Sequence, residues 1–192
     1  MTKRETLRSM LKEGRHRLHV GREHEAAQIV LANPRRMNAL VACLFDEDRG
    51  VANRAAGAIE KITRTRPALA APWKSELLGR MAEADENKLR WNLASTIGRL
   101  PLTAPEARTA ASLLRGWLDD KSSIVKTASM QGLADLARRD PSFMDEALDM
   151  LRILSRSGTP AMRARGRILL QQMNRLSTQP VVQSCCSPRQ GA

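Results

Sequence analysis

Four segments of this chain carry one apolar frame at a nearly constant spacing, and that repetition restricts the possible folds more than any other feature. The frame reads Val51, Ala55, Ile59 and Ile62; then Leu89, Leu93, Ile97 and Leu100; then Val125, Ser129, Leu133 and Leu136; then Met162, Gly166, Leu170 and Met173. The first members stand 38, 36 and 37 residues apart, and internal steps of 4, 4 and 3 residues place each set on one face of a helix. A period in this range means stacked supersecondary units rather than one closed globule. Leu40, Leu78, Leu114 and Leu151 recur with the same spacings and mark an earlier helix in every unit. Pro34, Pro72, Pro105 and Pro141 stand near the starts of these first helices, where the first-turn N–H has no helical acceptor. Acidic turns follow: Asp46-Glu47-Asp48, Glu83-Ala84-Asp85 and Asp119-Asp120. Such residues cap the second helix and favour the positive end of its dipole. The fourth turn, Ser155 to Thr159, keeps Ser and Thr as caps but has no acid.

A unit of helix, short turn and helix, repeated in this way, resembles the HEAT-repeat (armadillo-like) family of α-solenoids from about Pro34 to Leu176. Members of that family carry Asp in the turn and a basic residue after the first apolar position of the second helix. Here the turn position reads Asp46, Asp85, Asp120 and Ser157, and the basic position reads Ala52, Arg90, Lys126 and Arg163. The third repeat has both, the second nearly so, and the first and fourth each lack one. The resemblance implies an all-α fold: a short right-handed α-α superhelix of about four helical hairpins. Residues 1–33 are expected to form an N-terminal helical cap, with Leu7, Met10 and Leu11 as one apolar stripe and Ala26, Ile29 and Val30 as another. Residues 34–176 form the repeats, and residues 177–192 read as a disordered tail.

Composition narrows the partner. The chain has 32 Lys+Arg against 20 Asp+Glu, a net charge of +12 and a pI near 10.9, which favours acidic proteins or nucleic acid. Aromatics are 3% and Tyr is absent, so stacking on unpaired bases is a poor fit. The excess charge is unevenly placed. Second helices read as 49–66, 86–100, 121–139 and 160–176 hold 16 basic residues and only Glu60, Glu86 and Asp135 as acids. First helices with their turns hold 8 basic residues and 13 acids. Three cysteines without a framework, and no apolar stretch long enough to span a bilayer, lead to the expectation of a cytoplasmic protein.

In proteins that resemble this one the second helices line the concave surface. The direction opposite the apolar stripe passes through Asn53, Gly57, Glu60 and Arg64; Trp91, Ser95 and Gly98; Thr127, Gln131, Ala134 and Arg138; and Ala164, Ile168, Gln171 and Arg175. Small or polar residues thus line the centre, with Arg64, Arg138 and Arg175 at the edge and Lys61, Arg99, Arg165 and Arg167 near it. Trp91 replaces the Asn, Thr or Ala of the other repeats and is a candidate anchor for a partner. The partner-binding set is therefore Arg64, Trp91, Arg99, Arg138, Arg165, Arg167 and Arg175. The expected function is a non-enzymatic scaffold that binds an acidic protein segment, with a nucleic-acid backbone as the alternative.

DNA alkylation-repeat glycosylases share this kind of repeat, and Lys88-Leu89-Arg90-Trp91 looks faintly like their Trp/Arg-bearing helix. Asp135, the one acid of its helix, stands near the helix end and does not match a catalytic position, so no catalytic residue is carried over. There is no P-loop, GxGxxG, GxSxG or HExxH. His16, His19 and His24 fit no zinc spacing, and Cys185-Cys186 sit in the tail, so no metal or cofactor is expected.

Overall fold

A computed structural model describes residues 5–13 and 21–177. His16, His19, Cys185, Cys186 and the tail from 178 onward lie outside the described residues. The described residues form ten α-helices: α1 (Leu7–Lys12), α2 (Glu23–Ala32), α3 (Met37–Ala42), α4 (Arg49–Thr65), α5 (Lys74–Ala82), α6 (Asn87–Ile97), α7 (Ala104–Gly116), α8 (Ser123–Arg139), α9 (Met144–Ser157) and α10 (Pro160–Ser177). They pack as hairpin-like pairs. The second members, α2, α4, α6, α8 and α10, lie against one another in that order, and α1, α3, α5, α7 and α9 pack beside them.

Prolines shape the first helices. Pro34–Arg36, Ala71–Trp73 and Pro141–Phe143 are single 3₁₀ turns that lead directly into α3, α5 and α9. Proline fits there because it presets the helical φ and removes an N–H that had no acceptor. The caps of the second helices differ between repeats. Asp48 accepts from the Gly50 N–H at 2.9 Å and from the Val51 N–H at 3.3 Å. Ser122 accepts from the Val125 N–H at 3.5 Å, and Thr159 from the Met162 N–H at 3.4 Å. Glu86 precedes α6 but does not cap it, because Asn53 and Arg49 of α4 draw its carboxylate sideways.

The apolar frame is the core. Val51, Ala55, Ile59 and Ile62 are fully buried, as are Leu89, Leu93, Ile97 and Leu100 to within 1%. In the last unit Leu169 is buried and Leu170 only half-buried. No further helix covers the outer side of α10 among the described residues, so fewer of its positions are enclosed. Trp73 and Trp117 are half-buried against the core. The core itself falls into two clusters, one from Leu7 to Leu136 and one from Met130 to Met173. At their seam lies a cavity of about 290 Å³ lined by Leu118, Leu133, Phe143, Ala147 and Met150, beside the Arg115–Glu146 ion pair.

Polar links bind one hairpin to the next along the turns. Arg8 of α1 donates to Asp46 at 2.5 Å, supplying the cation that Ala52 cannot. Arg90 donates to its own turn carbonyls at Ala84 (2.8 Å) and Asp85 (3.1 Å), and to Asp120 of the next turn (2.5 Å). Where Ser157 replaces the acid, a hydroxyl pair, Ser123–Thr159 at 2.8 Å, bridges the last two repeats.

The acid limb of stability follows from these links. The Arg8 guanidinium and the Asp48 N–H hold Asp46 below its ordinary range. Lys74 (2.7 Å) and the Thr103 N–H (2.7 Å) lower Glu106 from 4.5 to about 2. A carboxylate with a depressed folded-state pKa adds stability above its unfolded value and loses it as pH falls through the folded one. Burial pushes Asp135 the other way, so its own contribution weakens as pH rises above 3.8. Urea unfolding should therefore show wild-type stability falling between pH 4.5 and about 2. Glu106→Gln should lose less over that interval and start from a lower value at pH 7. Parallel curves for the two proteins would remove Glu106 from the linkage.

Candidate partner-binding face

The exposed edges of four second helices form one cleft of about 550 Å³. Glu60 and Arg64 enter it from α4, and Trp91, Ser95 and Arg99 from α6 and the turn after it. Ile124, Thr127, Ala128 and Gln131 come from α8, and Ala161 and Arg165 from α10. The cleft crosses the stack obliquely: it takes the last turn of α4 but the first turns of α8 and α10.

Two guanidinium groups bind one carboxylate here. The Glu60 side chain is only 5% exposed, and two helices converge on it. Arg64 donates Nε to Oε1 at 2.8 Å, and Arg99 donates to the same oxygen at 3.0 Å and to the Glu60 carbonyl at 3.2 Å. The Arg64 side chain remains 62% exposed, and the Glu60 carboxylate raises its pKa, so it presents a permanent cation to solvent. Arg165 is exposed and makes no salt bridge among the described residues.

The same pattern recurs on either side. Glu23 of α2 is buried, and its carboxylate binds Lys61 of α4 at 2.7 Å and Lys88 of α6 at 3.2 Å. Gly57 makes room for it, since a Cβ there would lie 2.6 Å from the Glu23 Oε2. On α8, Asp135 accepts from Gln131 at 2.8 Å and from Arg138 at 2.6 Å, and Arg138 continues to Gln172 of α10 at 2.6 Å. Burial raises the Asp135 pKa, opposed by the charges of Arg138, Arg99 and Arg165.

Of the residues singled out from sequence, Arg64, Trp91, Arg99 and Arg165 share the cleft. Arg138 is half-buried and tied to Asp135 and Gln172. Arg167 is exposed on α10 outside the cleft lining, and Arg175 is exposed in the last turn of α10. Gly57, Gly98 and Ala134, expected along the groove, are buried instead. Neighbouring second helices cover both flanks of each helix, so only a narrow strip stays open. A Cβ on Gly98 would run into the Gly132 carbonyl, and one on Gly132 would lie 2.5 Å from the Ala94 carbonyl oxygen. The anchoring roles of Glu23 and Glu60 escaped the sequence reading, because their partners stand up to 65 residues away. Ile124 also escaped it, although an isoleucine beside Val125 but off the apolar frame was a visible signal.

No described helix is long and apolar enough to cross a membrane. A family model described as "HEAT repeat domain" matches residues 7–173, a span that takes in α1 and α2. Among solved structures, a designed armadillo repeat protein matches with a TM-score of 0.55 at 20% identity, covering 78% of this chain and 69% of that one. At that identity the likeness shows the fold alone. No curated protein matches the chain.

Proposed function

The chain belongs to the HEAT-repeat family, and we propose that its concave basic face docks an acidic segment of a partner protein in the reducing cytoplasm. HEAT repeats are typically scaffolds for protein–protein interaction, which makes a protein partner the natural class. The observation that carries the reading is the cleft itself: Arg64 and Arg99 bind one buried carboxylate, Arg165 adds a third cation to the lining, and Trp91 beside them is 38% exposed. Arg forks match carboxylates in geometry as well as charge. The buried acids Glu23 and Glu60 and the half-buried Asp135 neutralise part of the face between its cations. That spacing suits discrete carboxylates better than the continuous charge of a duplex backbone.

Fluorescence anisotropy with a labelled glutamate-rich peptide and a labelled DNA duplex, each across a salt series, tests this. The peptide should bind, and Arg165→Glu should weaken it about tenfold, a change of about 1.4 kcal/mol, without altering the thermal melt. Binding of the duplex alone, with a steep loss of affinity in salt, would replace this reading with backbone-directed nucleic-acid binding.

A further inference from the structure

Only five large apolar side chains are exposed among the described residues: Phe45, Trp91, Ile124, Ile153 and Ile168. Two of them, Trp91 and Ile124, fall in the cleft that also gathers Arg64, Arg99 and Arg165. They stand on adjacent helices, α6 and α8, with Ile124 58% exposed. An apolar shelf set among cations suits a ligand with both kinds of group, since buried aromatic anchors carry most of the energy of an interface and charges set its register.

We propose that the cleft reads a composite motif: an apolar side chain seated against Trp91 and Ile124, and, three or four residues away along an extended segment, a carboxylate held by Arg64 and Arg99. The spacing comes from α6 itself. Trp91 and Arg99 are eight residues apart along one helix and the turn that ends it, roughly 12 Å at the helical rise. An extended chain covers that length in three to four residues at roughly 3.3 Å each. Arg64 reaches the same end of the cleft from the last turn of α4 and is held there by Glu60, which also holds Arg99. Arg165 on α10 lies on the opposite flank of the shelf, because α6 and α8 separate α4 from α10 in the stack. It offers a second carboxylate site on the other side of the anchor. This motif rests on the acidic-segment reading above and adds to it the apolar anchor and the spacing.

Labelled Gly/Ser nonapeptides test it directly. One set carries a Glu pair and one Leu at separations from one to six residues; a second has Ala for Leu; a third has Lys for Glu. Affinities are measured for the wild type, Trp91→Ala and Ile124→Ser, with thermal melts confirming the fold. The Leu/Glu peptides should bind at least tenfold tighter than the Ala/Glu peptides at separations of three or four. That gain should vanish in both variants, which should bind the Leu/Glu and Ala/Glu peptides alike. Equal binding of Leu and Ala peptides, or a gain that ignores separation or survives Trp91→Ala, overturns the motif and leaves acidic docking standing. Glu peptides that bind no better than Lys peptides overturn both.

Discussion

Gly132→Val should cost about 3 kcal/mol of stability in urea unfolding, although the residue sits in the middle of a helix where glycine is ordinarily a poor choice. Helices α6 and α8 approach each other through Gly98 and Gly132. A Cβ on Gly132 would lie 2.5 Å from the Ala94 carbonyl oxygen and 3.1 Å from the Leu114 side chain. Backbone cannot rotate away as a side chain can, so the two helices must separate. These are the helices that present Trp91 and Ile124, so the variant should also weaken peptide binding where it remains folded. Gly79→Ala is the counterpart. That position has nothing within 4 Å of the added methyl and lies inside α5, so stability should rise by about 1 kcal/mol. A Gly132→Val protein as stable as the wild type would mean that the two helices are not held at this distance.

Glu60→Ala should separate stability from binding. The carboxylate is buried, and removing it strands the Arg99 guanidinium, which is 21% exposed, without its charged partner. Breaking a pair of this kind costs about 3 kcal/mol. Arg64 is exposed and regains water, so the loss comes mainly through Arg99. Affinity for an acidic peptide should move the opposite way, because the only carboxylate lining the cleft has gone. Unfolding curves and peptide titrations on Glu60→Ala, Arg99→Leu and the double variant Glu60→Leu/Arg99→Leu apportion the effect. An apolar pair in place of both charges should recover most of the lost stability. A Glu60→Ala protein that loses stability and affinity together would mean that Glu60 serves binding by positioning Arg64 and Arg99 rather than by competing for them.

The repeat unit was legible because its cause is local and recurs. A side chain every three or four residues faces the same way on a helix, and the chain states that pattern four times. Val51, Ile59, Leu93, Ile97 and Leu136 could be placed in the core without knowing what they touch. The excess of cations on the second helices was legible for the same reason. The open strip of those helices was not. Opposition to the apolar stripe assumes two sides, one buried and one wet, whereas a stacked helix has its hairpin partner on one side and a neighbour on each flank. That extra contact buries Gly57, Gly98 and Ala134 and turns the cleft toward Ile124 and Ala161.

The sequence by itself determined the period, the helical hairpin, the cores of the repeats and the excess of cations on the second helices, because each depends on spacing or composition within one unit. Only the tertiary structure decided which of those charges remain available. Arg138 is taken by Gln172, and Lys61 and Lys88 by Glu23, across separations of 34 to 65 residues. Hydrogen bonding and burial depend on distance in space, and the crossing of one helix over the next sets that distance.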